Sequence, residues 1–328
     1  MTLGRRGIKD AQSADMFVPP WDGVHRQARG VRRMTFTLAL VQPLAHHPPD
    51  DEQNVADALR HVEAAARQGA HVVLFPETYP GPWRMPARFD PTSAMVDAAA
   101  RFGVHVVFGT LEPFADGTRR AYNVLLFAAP SGSPPGRYRR TYPPGPWIYT
   151  GGSHWDFEYV AGDAFPVFET AHGTFGLGMC SEVYMPEVSR ALALRGAEVI
   201  LLPAGTDKDR LWASWRNLIW SRAIENLAVV ATTQNLFHRR QRGLAMVAAP
   251  EEIRFETTQP GTFLVEIDLE RVRALRADDD RVASQLVNGA KAGVLTQWQR
   301  PELRDALWPA RRAERGGERA AASPRSGG

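Results

Sequence analysis

Apolar residues in this chain follow two rhythms: short unbroken runs, and longer stretches in which they recur every three or four positions. The first rhythm predicts buried strands at Thr35–Gln42, His71–Phe75, Val104–Gly109, Tyr122–Ala128, Phe175–Met179, Val199–Leu202, Val229–Thr233, Leu244–Ala248 and Thr262–Ile267. The second predicts helices. One opens at Asp51 with acidic residues at its start, carries Val55, Leu59, Val62 and Ala66 on one face, and is closed by Gly69. Others cover Thr92–Phe102, Pro186–Leu194 and Leu211–Leu227; in Pro186–Leu194 the inward face is expected at Val188, Leu192 and Leu194. A Gly/Pro loop at Ser131–Gly136 leads into a short run ending at Arg139-Arg140. Strands that alternate with helices predict an α/β protein.

Composition narrows the class. The chain has 328 residues, 44% hydrophobic and 23% charged, so a fibrous or wholly disordered protein is excluded. No apolar run reaches the roughly 18–20 residues that a bilayer-spanning helix needs. The formal charge of +3 sits at the ends: residues 1–33 balance at +4 and 309–328 at +3, leaving 34–308 at −4. An acidic body removes the electrostatic case for nucleic-acid binding. Residues 1–33 mix Gly, Pro and Arg without periodicity and read as a flexible extension. Residues 309–328 read as a disordered tail, and 34–308 as one domain without internal repeats. Arg32-Arg33 before an apolar run faintly imitates a twin-arginine signal, but the run reads better as a strand, so a cytoplasmic location is expected.

Familiar catalytic templates are missing. Cys180 is the only cysteine, which excludes an intrachain disulfide and any Cys-pair metal site. The nine histidines show no HExxH-like spacing, and neither a metal nor a cofactor is expected. Gly176-Leu-Gly178-Met-Cys-Ser181 lacks the third glycine of a dinucleotide loop, and no GxSxG elbow occurs. What remains is a recurring placement just beyond predicted strands: Glu77 after His71–Phe75, Arg140 after the Tyr122–Ala128 strand and its loop, and Cys180 after Phe175–Met179. Carboxyl ends of strands converge on the ligand crevice of an α/β sheet. A helix starting near Ser181–Pro186 would add partial positive charge beside the thiol. Taken singly, Cys180 also fits an inert core residue, Glu77 a cap and Arg140 a surface charge.

Five blocks decide between these readings. Leu74-Phe-Pro-Glu77-Thr-Tyr79, Arg137-Tyr-Arg-Arg140-Thr141, Gly176-Leu-Gly-Met-Cys180-Ser-Glu-Val-Tyr-Met-Pro186-Glu187, Leu194-Arg-Gly-Ala-Glu-Val-Ile200 and Arg222-Ala-Ile-Glu-Asn226 follow one another in an order that resembles the nitrilase superfamily of carbon–nitrogen hydrolases. The resemblance covers roughly Thr35 to Leu307. It implies a four-layer α-β-β-α sandwich that dimerises through helices near the active site. It also implies Cys180 as nucleophile, Glu77 as general base and a lysine at the oxyanion, a position that here falls on Arg140. Arginine keeps the charge but is bulkier, planar and unable to give up a proton.

Other positions depart from the family pattern or stay open. The auxiliary glutamate position falls on Trp155, with Asp156 and Glu158 nearby and Glu158 the preferred replacement; Gly243-Leu-Ala245 stands where the family has Gly-x-Ser. Tyr79, Trp83, Trp147, Tyr149, Trp155 and Tyr184 lie in loops near the strand ends and would give an aromatic acyl pocket if they line it. Trp212, Trp215 and Trp220 read as core or dimer interface. Glu182 would either select substrate or cap the next helix. The resulting expectation is an amidase-like hydrolase of a small carboxamide or nitrile, working through a thioester as a homodimer, without nucleic-acid or membrane partners. The alternatives are acyl transfer from the same intermediate and a non-catalytic binding protein.

Overall fold

The computed structural model describes residues 35–143, 157–205, 211–277, 294–295 and 299–303. The expected extension and tail, and Trp147, Tyr149, Trp155 and Asp156, lie outside them. The elements in order are β1 (Thr35–Gln42), α1 (Gln53–Arg67), β2 (Val72–Leu74), α2 (Thr92–Phe102), β3 (His105–Pro113), β4 (Arg120–Ala128), β5 (Gly136–Arg139), β6 (Glu158–Tyr159), β7 (Val167–Thr170), β8 (Gly173–Leu177), α3 (Pro186–Leu194), β9 (Val199–Leu201), α4 (Trp212–Asn226), β10 (Val229–Thr232), β11 (Ala245–Ala248), β12 (Ile253–Thr257), β13 (Gly261–Asp268) and α5 (Leu269–Arg276).

Strand alternation explains how these elements stack. One sheet runs β13-β1-β2-β3-β4-β5 with β6 also on β4; the other runs β12-β11-β10-β9-β8-β7. In β1, Phe36, Leu38 and Leu40 point one way, and with Val72, Leu74 and Phe127 they meet Phe175, Leu177, Val199, Leu201 and Val247 of the second sheet in a shared core. The intervening Ala39, Val41, Val73 and Phe75 pack beneath α1 and α2, through Val62, Met95 and Ala99. On the far side Ile200, Leu202, Val230 and Met246 pack beneath α3 and α4, through Val188, Leu192, Trp215 and Ile219. Three apolar seams between four layers give the α-β-β-α sandwich. Each large buried side chain contributes about 1.5–3 kcal/mol of transfer free energy.

Several expectations are corrected. Leu194 does not join the inward face of α3; it is 50% exposed at the helix end. The helix expected near Ser181–Pro186 begins at the far end of that range: a 3₁₀ turn, Cys180–Tyr184, comes first, and α3 starts at Pro186, six residues past the thiol. Strands β6, β7 and β12 and helix α5 add to the predicted set. β12 alternates Ile-Arg-Phe-Glu-Thr as a half-exposed edge strand, and α5 is mostly charged, with Asp268 capping the Glu270 amide at 3.0 Å. No helix among the described residues is long and apolar enough to cross a membrane.

Candidate active site

The carboxyl ends of β2 and β8 bring the first components together. After β2 the chain turns at Pro76, and the Glu77 amide donates to Ala204 O at 3.3 Å while Asn235 Nδ2 donates to Glu77 O at 3.0 Å. Thr78 sits at φ 51, in the left-handed region. The turn lies so close to β3 that a Cβ on Gly109 would stand 2.2 Å from the Thr78 nitrogen, which explains a glycine inside a strand. Glu77 is thereby fixed by neighbours from three separate segments.

Its carboxylate is buried with a polar shell of its own. Glu77 Oε1 accepts from Asn123 Nδ2 at 2.9 Å and from Arg140 Nη1 at 2.8 Å. Oε2 lies against Gly205, where a Cβ would come within 3.0 Å of it. Asn123 is further held by Thr78 Oγ1, which donates to its Oδ1 at 3.0 Å, and by the Tyr159 hydroxyl at 3.2 Å from Nδ2.

Arg140 follows β5 directly and is only 1% exposed. Its amide donates to Asn123 O at 2.9 Å, and its own carbonyl accepts from Gly162 N at 2.7 Å. Toward the described residues the guanidinium donates from Nη1 to Glu77, from Nε to Tyr142 O at 3.0 Å, and from Nη2 to the Ser181 hydroxyl. One planar cation therefore ties the Glu77 carboxylate to the residue following Cys180. A buried ion pair of this kind is weak evidence for stability, since desolvation offsets much of the attraction.

Cys180 sits where β8 breaks into the 3₁₀ turn. Its φ is 52, unusual for a residue with a Cβ, and its amide donates to Pro203 O at 2.8 Å. That turn lifts the partly exposed thiol off the end of the strand, against both the inter-sheet core and the seam under α3 and α4. Glu77, Arg140 and Cys180, separated by 63 and 40 residues in sequence, thus belong to one cluster at one end of the sandwich.

The remaining candidates fall elsewhere. Glu158 is not brought into the cluster: its side chain is 70% exposed, 3.9 Å from Arg120, whereas the adjacent Tyr159 faces Asn123. Tyr184 lies on the 3₁₀ turn, exposed, with its ring edge-on to Trp215 at 5.8 Å. Tyr79 and Trp83 are buried, Tyr79 stacked on Phe75 and Trp83 donating from its indole to Thr78 O, so both pack the Glu77 loop onto the body. Burial raises the Tyr79 hydroxyl far above its ordinary pKa. Trp215 is core, and Trp212 donates to Gly243 O at 2.9 Å.

Glu182 neither contacts the exterior nor caps α3, whose N-cap is Met185. Asn123, Tyr159 and Asn235 belong to none of the candidate motifs in the sequence, and Ser181 enters only as the neighbour of Cys180. A lone Asn within the apolar run Tyr122–Ala128 was the one available signal. Among the described residues no group of three His, Cys, Asp or Glu side chains is arranged to hold a metal ion.

Comparison with known proteins adds an independent line. The carbon–nitrogen hydrolase family model matches residues 37–277. A deaminated glutathione amidase from Synechocystis is 30% identical over 250 residues, 70% of this chain and 90% of that protein. An omega-amidase from Homo sapiens is 26% identical, covering 60% of this chain and 74% of that one. A solved structure of an amidase from Nesterenkonia sp. AN1, 22% identical, superposes with a TM-score of 0.65 over 83% of this chain and 96% of its own.

Proposed function

Since the chain belongs to the carbon–nitrogen hydrolase family and is a hydrolase of non-peptide carbon–nitrogen bonds, we propose that it is a cysteine-dependent amidase in which Arg140 takes the place of the family lysine. The observation that carries this reading is the Arg140 guanidinium, buried and bound at once to Glu77 and to Ser181 beside Cys180.

Glu77 takes the thiol proton, and the Cys180 sulfur attacks the carbonyl carbon of a small carboxamide. The oxygen gains negative charge, and Arg140 stabilises it. Since the Cys180 amide is already engaged by Pro203, the backbone donor for that oxygen is the Ser181 N–H. Collapse passes the proton from Glu77 to the leaving nitrogen, releases ammonia and leaves a thioester. Glu77 then deprotonates water, which attacks the thioester, returns the free acid and restores the thiol. Arginine holds charge throughout and moves no proton, so all proton traffic runs through Glu77. The exposed Tyr184, Leu194 and Ile224 around α3 and α4 support a homodimer formed through this face.

Ammonia release from a panel of aliphatic and aryl amides and nitriles tests the proposal. Release should vanish in Cys180→Ala and fall by at least about 10³-fold in Glu77→Gln, both folded. Undiminished release from Cys180→Ala would overturn it.

A further inference from the structure

The carboxyl group of Glu182 has no access to water and no cationic partner among the described ion pairs. Burying a carboxylate is expensive unless its lone pairs are filled, and here they are filled by five neutral donors. Oε1 accepts from the Tyr138 hydroxyl at 2.7 Å, Thr141 N at 2.9 Å, Thr141 Oγ1 at 2.8 Å and Tyr142 N at 3.0 Å; Oε2 accepts from Met179 N at 2.8 Å. With Oε1 saturated and the whole group fully buried, Glu182 is closed off from substrate.

The donors come from two places that matter for the chemistry. Tyr138, Thr141 and Tyr142 flank Arg140 on β5 and the loop after it, while Met179 immediately precedes Cys180. Tyr142 links the two sets of bonds: its N–H is bound by Glu182, and its carbonyl accepts Arg140 Nε at 3.0 Å. Fixing residue 142 therefore fixes the direction of the guanidinium, and fixing Met179 N holds the base of the strained turn that presents the thiol. We propose that Glu182 is a positioning residue that sets the guanidinium of Arg140 relative to the Cys180 sulfur, so that the cation stands where the oxyanion forms. This rests on the reading of Cys180 and Arg140 as nucleophile and oxyanion holder.

The test is a double-mutant cycle on the full chain with an amide that the wild-type protein hydrolyses. Glu182→Gln keeps the shape but turns an amide N–H₂ toward N–H donors. A displacement of about 1 Å costs up to about 10²-fold in rate, so kcat is expected to fall about 10- to 100-fold with KM changed less than about threefold. In an Arg140→Gln background the same substitution should cost clearly less, less than about threefold, because the guanidinium it positions is gone and only the hold on Met179 N remains to be lost. Equal losses in both backgrounds, or an unchanged kcat, would overturn the proposal. Should Glu182→Gln fail to fold, Tyr138→Phe and Thr141→Val each remove one donor and enter the same cycle, with smaller losses expected only when Arg140 is present. Cys180→Ala run in parallel separates the two ideas: activity surviving in it overturns the underlying mechanism, whereas additive losses with Cys180→Ala inactive overturn Glu182 alone.

Discussion

At the scale of single residues the site turns on Arg140. A lysine would present one compact ammonium at the end of a flexible stem, whereas the guanidinium meets Glu77, Tyr142 O and Ser181 from one rigid plane. Lysine would leave the Tyr142 carbonyl and the Ser181 hydroxyl without their donor. If Arg140 holds the oxyanion as proposed, Arg140→Lys should lower kcat by about tenfold, while Arg140→Gln should lower it about 10²–10³-fold, as loss of an oxyanion donor does. Steady-state kinetics on one amide checks both. A lysine variant faster than the wild type would show that the guanidinium is a handicap.

At the scale of elements, two strand ends present the chemistry and two loops hold them in place. The Glu77 turn presses on β3 at Gly109, and a methyl group there meets the backbone of Thr78 rather than a flexible side chain. Gly109→Ala should destabilise the fold by about 1–3 kcal/mol, as overpacking does, and lower kcat with it. Urea unfolding and activity measure the two effects; an unchanged midpoint would mean that the turn relaxes freely.

Elements of this kind were largely legible in the sequence. The apolar runs of β1, β2 and β8 and the periodicities of α2 and α3 fix where Glu77 and Cys180 emerge, because burial on both faces leaves few other patterns. What escaped was the polar scaffold. Asn123 acts through Glu77, 46 residues away, and Glu182 reaches Tyr138, Thr141 and Tyr142, 40 or more residues away, besides the nearby Met179; no local pattern encodes the distant pairings. Glu158 and Tyr159 differ only in which face of a two-residue strand they occupy, a register that pairing with β4 decides.

At the scale of the whole molecule, the end of the sandwich opposite the Glu77–Arg140–Cys180 cluster is crowded with imidazoles. His172, from the β7–β8 turn, stands 4.6 Å from His71 and 6.2 Å from His105, ring to ring, where β2 and β3 begin. Burial first, then the neighbouring His172, holds His105 below its ordinary value of 6.5; burial and His71 do the same to His172, and burial lowers His61 on α1. The unfolded chain therefore takes up protons below about pH 6.5 that the folded chain resists, so stability falls as pH drops through that window. Glu112, held low chiefly by its hydrogen bond from Arg139, loses its contribution only below its ordinary value of 4.5. Thermal melts at pH 7.5 and 5.5 should show a lower Tm at 5.5, with the difference reduced in His172→Gln; a flat profile would contradict this. The account of the molecule as an enzyme rests on a covalent bond to one sulfur. Acid-quenching the wild-type chain during turnover of an amide and weighing its peptides tests that most directly. The account predicts the acyl mass on the peptide carrying Cys180, absent in Cys180→Ala; ammonia release with no acyl group on that peptide would contradict it.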